Sequence, residues 1–554
     1  MRAPRARARR GRSSRPDRRV DRRDRRRDGG ASRPDARGDD GGRLVAGPGR
    51  GRRGDHHARA SLRGARRTRR AVSGAHAVRS TPSDPAAEGA PRPTVFALHG
   101  LGLTGRAFDE VAALLQPDFR LVAIDLPGFG TAASAGAAGV DEMADAVLAR
   151  IASETVGPWL LLGHSMGGKV ASVVTSRVLD GSAHVFGLRG IVLLAPSPVT
   201  PEPMADDKRE EMLSWLTGPR LDPEHAREFV DDNVGSPWTA AQREEAVELV
   251  LDGSTEAWES WLLRGSREDW ADAVGALDVP ALVLAGEEDG DLGADAQPDL
   301  VAPTYPRATV QTLAGAGHLL MLERPAEVAD AVRSFWADDA SRAPLVPEHL
   351  ARVIASDHTG ARVRGAFAGR AVADDRTAPP RALTEAQLDT LRSVLARVLP
   401  ADLGGLDLAA RLDARLAEGT GDGWRHGDLP DDATAYRLGL DELAPFDGSP
   451  EERDALLTHI QEGSYTPRSD GLTARQLSLW FTDLCADAAT TWLQHPAALA
   501  EIGFDGFATG GDGPRKQGFT RLTLGTREGW EGSPGGPSVV HESQMISREE
   551  RSWT

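Results

Sequence analysis

Nine residues, Leu160 to Gly168, constrain this chain more than any others. The apolar run Leu160-Leu161-Leu162 passes into a helical pattern through Gly163-His164-Ser165-Met166-Gly167, with no residue left over for a loop. The apolar run is of strand length, and Val170, Val173, Val174 and Val178 then repeat on one face of a helix over 166–180. A chain that turns from strand to helix so abruptly needs glycine wherever side chains would collide. The residue at the apex is held out from both elements, and here it is a serine. A corner of this kind commits the chain to strands lying side by side under a cover of helices.

The same texture recurs along the sequence. "TVFALHG" (94–100), "RLVAID" (120–125), "WLLLGHS" (159–165), "LRGIVLLAP" (188–196), "PALVLAG" (280–286) and "ATVQTL" (308–313) read as buried strands of a mostly parallel sheet. A helix over 325–337 opens with Pro325 and turns Val328, Val332, Phe335 and Trp336 inward. Residues about 199–278 interrupt the alternation with an acidic, mostly helical insertion holding five of the twelve Trp: Trp215, Trp238, Trp258, Trp261 and Trp270. Thr239 and Gln242 form a capping box within it. Its place in the chain predicts a lid over a pocket, with the tryptophans as the lid's own core.

Charge divides the 554 residues unevenly. The formal net charge is −16, yet residues 1–92 hold 28 Arg and 10 acidic residues for a net of +18, which leaves −34 on the rest. That segment has no Phe, Trp, Tyr, Ile or Cys, and only Leu44 and Leu62 among leucines, so it lacks the apolar surface to offset chain entropy and is expected to be disordered. Arginine runs suit phosphate neutralisation, but no aromatic residue is interleaved to stack on bases. No nucleic-acid partner is expected. No apolar run reaches the roughly 18 residues of a membrane span, and no 7 to 15 residue apolar core of a secretory signal follows the arginine pairs. The single Cys485 fits a reducing compartment, so a cytoplasmic location is expected.

Further along, 339–382 reads as a linker with one helix at 347–356. Residues 383–525 read as a mainly α-helical domain, with helices at 384–399, 405–418, 433–444, 449–462 and 473–494 and capping boxes at Thr384/Gln387 and Thr473/Gln476. Residues 526–554 read as a polar, disordered tail.

Chemistry gathers at the strand ends. Gly163-His164-Ser165-Met166-Gly167 is a G-x-S-x-G nucleophile elbow between a strand and a helix, the context this motif requires. A serine hydroxyl is a weak nucleophile until a base takes its proton. Candidates follow in chain order: Asp289 just past the strand 280–286, and His318 just past the strand 308–313. His318 is the expected base and Asp289 its orienting acid, with Asp291 as the alternative acid. Two N–H donors should face the developing oxyanion: that of Met166, after the nucleophile, and that of Leu101 in "HGLGLTG".

With these segments in hand, residues 93–338 resemble the α/β-hydrolase superfamily, of the lid-bearing serine esterase type. "HGLGLTG", "DLPGFG", "GHSMGGKVA", "GEED" and "GHLLMLERP" carry the resemblance. It implies an α/β-hydrolase fold with a helical lid, an acyl-enzyme intermediate and a small-molecule ester substrate, with neither a metal nor an organic cofactor. Haloperoxidase-like and carbon–carbon bond hydrolase relatives share the triad and stay open. The family's usual β-hairpin before the first strand has no counterpart in 60–92.

Residues about 383–525 resemble the gluconate 2-dehydrogenase subunit 3 family through "LTEAQLDTLRSVLARVLPAD", "GDGWR", "HPAALAEIGFDGF" and "GGDGPRKQGF". The resemblance implies an accessory, partner-docking module, with an oxidoreductase as the partner. On that view the alternative to an enzyme is an accessory subunit of a flavin dehydrogenase complex whose hydrolase region serves as scaffold.

Overall fold

All six expected strands form: β1 (Thr94–Leu98), β2 (Arg120–Ile124), β3 (Trp159–His164), β4 (Leu188–Leu194), β5 (Ala281–Gly286) and β6 (Ala308–Leu313). They lie parallel in one sheet of order β2-β1-β3-β4-β5-β6. The central strands β1, β3, β4 and β5 are buried along their whole length, the reason they read as unbroken apolar runs, whereas the edge strand β6 is largely exposed. This computed structural model describes residues 92–154, 157–399, 404–420, 426–523 and 525–531, all within one unit spanning Pro85–Thr554. The disorder expected of 1–92 therefore concerns residues that, Arg92 apart, lie outside the described ones. Among the described residues no strand precedes β1, so the sheet ends at β2.

Helices α1 (Asp109–Leu115), α2 (Val140–Glu154) and α3 (Met166–Leu179) cover the first half of the sheet. The predicted stripe of α3, Val170, Val173, Val174 and Val178, is buried. The insertion is helical as expected: α4 (Asp206–Ser214), α5 (Pro223–Asp232), α6 (Ala240–Leu251), α7 (Thr255–Leu263) and α8 (Ala271–Val274). The Thr239/Gln242 capping box opens α6. Trp215, Trp258 and Trp261 are buried, and Phe229 meets Trp258 edge to face at 5.0 Å. The chain returns through α9 (Gln297–Val301), α10 (Leu320–Glu323) and α11 (Pro325–Asp338), where Val328, Val332 and Phe335 face inward as predicted.

The segment expected to be a linker is instead packed. It forms α12 (Glu348–Ala355) and α13 (Ala361–Arg370), and Leu350, Val353, Ile354 and Ala368 join the core of the sheet region. Two buried arginines hold it. Arg189 donates to the carbonyls of Ala343, Pro344 and Ala371, each at 3.0 Å. Arg364 donates to those of Gly181 at 2.8 Å, Ser356 at 2.8 Å and Thr359 at 2.9 Å. Polar composition suggested a solvated connector because arginine is usually exposed. Here Arg189 spends its donors on backbone carbonyls instead, and Arg364 divides its own between carbonyls and the Asp512 carboxylate.

Beyond it, α14 (Glu385–Val398), α15 (Leu408–Glu418), α16 (Asp432–Leu443), α17 (Pro450–Gln461) and α18 (Ala474–Leu493) enclose a separate apolar core that includes Leu388, Leu391, Leu440, Leu477 and Leu484. Both expected capping boxes, Thr384/Gln387 and Thr473/Gln476, are present. After α19 (Pro496–Glu501) the chain leaves that core and packs back on the sheet region. Phe507 joins the larger core, the N–H groups of Thr509, Gly510 and Gly511 each lie 2.9 Å from the His358 carbonyl, and Trp530 stacks on His358 at 3.9 Å. The expected tail boundary at 526 is thus too early: Glu528 is buried and Trp530 packs on His358, and 532–554 lie outside the described residues.

Candidate active site

Parallel register brings the carboxyl ends of β1, β3, β4 and β5 to one end of the sheet, where loops of an open α/β sheet carry function. Ser165 sits between β3 and α3 with φ 49° and ψ −119°, a left-handed conformation that few non-glycine residues adopt. Its flanking glycines are sterically required: a Cβ on Gly163 would come 2.6 Å from the Gly167 carbonyl oxygen, and one on Gly167 would come 2.5 Å from that of Leu98. The Ser165 N–H donates to Leu194 O at 3.0 Å, and its carbonyl accepts from Gly168 at 2.7 Å and Ser197 at 3.0 Å. The corner is held by backbone on both sides.

His318 Nδ1 pairs with Asp289 Oδ2 at 2.7 Å, both side chains being mostly buried. Burial works against a charge on His318, but Asp289, through its charge and its hydrogen bond, and Glu202 outweigh it, so the imidazole pKa stands above 6.5. Burial likewise pushes Asp289 upward, and His318, the Leu292 N–H and His164 reverse it, holding the carboxyl below its ordinary value. The alternative acid, Asp291, is exposed and pairs with Lys208 at 3.3 Å. Geometry therefore brings Asp289, not Asp291, to the histidine.

Met166 is the first residue of α3, so its N–H lies outside the helix's own ladder. Leu101 lies in the turn closed by Leu103 N–H to Gly100 O at 3.2 Å. A Cβ on Gly100 would meet Ser165 Cβ at 3.0 Å, which sets this turn against the serine. Next to it His99 is a structural brace: its Nδ1 bonds Gly100 O at 2.9 Å and its Nε2 accepts from the Leu126 N–H at 2.9 Å. Burial lowers the His99 pKa to about 4. His164 is buried too, with Nε2 bonded to the His318 carbonyl at 2.9 Å, and burial followed by the nearby His318 holds its pKa well below 6.5.

Two charged residues near this end of the sheet escaped sequence reasoning. Lys169, one helical turn past Ser165, is fully buried, and its Nζ donates to Thr200 O at 3.0 Å, Gly265 O at 3.2 Å and Glu268 O at 2.7 Å. Those carbonyls lie where the lid leaves the sheet region and where it rejoins it. Using all three donors is what makes a buried ammonium tolerable, and burial still lowers its pKa to about 8. The signal was present in "GHSMGGKVA", where a lysine interrupts a face of small and apolar residues. Glu202 accepts from Ser197 Oγ at 3.1 Å, and burial raises its carboxyl pKa. No local pattern marked it.

Among the described residues no group of three or more His, Cys, Asp or Glu is gathered as metal ligands would be, and no helix is long and apolar enough to cross a membrane. A chain with these features can transfer an acyl group through a serine, given a substrate that reaches Ser165.

Residues 95–331 match the family model described as alpha/beta hydrolase family. The chain is 28% identical over 250 residues to a 2-succinyl-6-hydroxy-2,4-cyclohexadiene-1-carboxylate synthase of Enterobacter sp. (strain 638), covering 43% of this chain and 89% of the relative. It is 29% identical over 255 residues to a pimeloyl-[acyl-carrier protein] methyl ester esterase of Sodalis glossinidius, covering 43% and 91%. Among solved structures, a thermophilic esterase from Thermogutta terrifontis aligns with a TM-score of 0.38 at 24% identity, over 44% of this chain and 90% of that one.

Proposed function

Taking residues 95–331 as an α/β-hydrolase domain, we propose that the chain is a serine hydrolase cleaving a small carboxylic ester through an acyl-enzyme. The observation that carries this reading is the His318–Asp289 pair at 2.7 Å at the same end of the sheet as a serine held at φ 49°. Ser165 Oγ attacks the ester carbonyl as His318 Nε2 takes its proton. The carbonyl oxygen becomes an oxyanion facing the Met166 and Leu101 N–H groups. Collapse expels the alcohol, which leaves with the proton from His318, and Ser165 stays acylated. Water, deprotonated by His318, then releases the carboxylic acid and restores the serine. Asp289 holds the imidazole tautomer and stabilises its cation throughout.

Similarity to an esterase favours an ester substrate. Similarity to the cyclohexadiene carboxylate synthase keeps related triad chemistry as the second reading, along with haloperoxidase-like and carbon–carbon bond cleavage. For residues 383–525 we infer an accessory role, docking an oxidoreductase, only from their resemblance to gluconate 2-dehydrogenase subunit 3. The one free cysteine supports a cytoplasmic site of action. The decisive experiment is fluorophosphonate labelling of the full chain with p-nitrophenyl ester turnover. Wild type should label one to one, and Ser165→Ala should lose labelling and at least about 10³-fold in turnover. Equal labelling and turnover by the variant overturns the assignment.

A further inference from the structure

The loop carrying His318 is held by the lid. The His318 N–H donates to Asn233 O at 2.8 Å and the Leu319 N–H to the same oxygen at 3.3 Å. Asn233 closes α5, so this acceptor belongs to the insertion and not to the sheet region. On the other side, the His318 carbonyl meets His164 Nε2 at the elbow. The histidine peptide is thus gripped between lid and elbow.

One side chain ties the histidine loop to the lid a second time. Glu323, at the end of α10, is buried and uses both carboxylate oxygens: Oε2 accepts from the Gly235 N–H of the lid at 2.9 Å, and Oε1 accepts from the Gly317 N–H at 2.9 Å. The two backbones it bridges touch. A Cβ on Gly235 would lie 2.5 Å from Gly317 N, and one on Gly317 would lie 2.4 Å from Gly235 N. Ser236 adds a hydrogen bond to the Gly315 carbonyl, and Arg324 reaches both Ser236 Oγ at 3.0 Å and Gly315 O at 2.9 Å. A buried carboxylate that accepts only from backbone N–H groups of two separate segments gains from keeping them together.

We propose that Glu323 is a positioning residue for His318, clamping the lid turn 233–236 to the loop 315–319 so that seating the lid and placing the histidine are one event. The proposal rests on the reading of His318 as the general base. Glu323 touches no reacting atom. Its effect passes through the Gly317–His318 peptide, and displacement of a catalytic group by about 1 Å is enough to cost on the order of 10²-fold. The groups facing His318 come from four elements: Asp289 after β5, Glu202 at the start of the lid, Lys208 on α4 and His164 at the end of β3. A loop that relaxes away from Asp289 loses the partner that raises the His318 pKa.

Glu323→Gln keeps the shape but offers an amide NH2 where one N–H needs an acceptor. In the full chain it should lower kcat by ten- to a hundredfold, with KM changed less, and move the acid limb of the kcat/KM profile to lower pH. Gly235→Ala leaves Glu323 intact but wedges the two backbones apart, and should act in the same direction. That variant carries the test if Glu323→Gln does not fold. Unchanged kcat and an unmoved acid limb in a folded variant overturn the clamp. So does a loss of thermal stability with both parameters intact. His318 titration followed by NMR, assigned with His318→Gln, should show a lower pKa in Glu323→Gln. That readout stands even if wild type turns over no ester, in which case the hydrolase reading falls and the clamp is judged separately.

Discussion

The sheet region and the helical core at 383–488 both bury continuous apolar interiors and both staple backbone with buried carboxylates, but among the described residues strained non-glycine backbone is confined to the first. Among the described residues, the only non-glycine positions with positive φ, Ser165 and Ala195, lie at the carboxyl ends of β3 and β4. Around them are buried His99, His164 and Lys169, with His318 and Asp289 beside them, several with shifted pKa values. The helical core uses its buried carboxylates as staples. Asp413 accepts from the N–H groups of Arg381, Ala382 and Leu383, and Glu442 accepts from Arg468, Ser469 and Tyr465. Among the described residues the backbone rule against positive φ is broken only in the sheet region, and such strain is commonly concentrated at functional sites.

That contrast can be broken by mutation. The largest effect should come from Asp289→Asn, which keeps the shape and removes the charge. Turnover should fall by about 10³- to 10⁴-fold, and the acid limb of kcat/KM, placed above 6.5 by the raised His318 pKa, should move down because burial then acts unopposed by Asp289. Asp291→Asn, at an exposed ion pair, should leave both unchanged. Equal effects at the two positions would return the acid role to dispute. Next comes Leu391→Ala in the helical core, which should cost about 2 to 5 kcal/mol in unfolding experiments without altering fluorophosphonate labelling at low temperature. A parallel loss of labelling would join the two regions into one cooperative unit. The smallest, Thr473→Ala, removes a capping-box side chain and should cost about 1 kcal/mol, with turnover intact.

How much of this was legible is visible residue by residue. The four central strands were readable because a parallel sheet buries both their faces and leaves unbroken apolar runs, whereas β6, expected to be buried, is largely exposed at the sheet edge. Thr239, Thr384 and Thr473 announced their helices because a capping box is local in sequence. Residues 339–382 were read as a linker, since nothing in "ASRAPLVPEHLARVIASDHTGARVRGAF" says that Arg364 will be buried against the Gly181 carbonyl. The return of Phe507 and Trp530 to the sheet region was hidden for the same reason. Their partners are more than a hundred residues away.

By itself the sequence determined the strand-to-helix corner at Ser165, the order of the candidate triad and the helices of the insertion and within 383–525, because each depends on neighbours a few positions apart. Only the tertiary structure decided between Asp289 and Asp291, seated Lys169 beneath both ends of the lid and set Glu323 between Gly235 and Gly317. A carboxylate or an ammonium is the same residue whether solvated or buried, and its role is fixed by which distant backbone groups folding brings within hydrogen-bond reach.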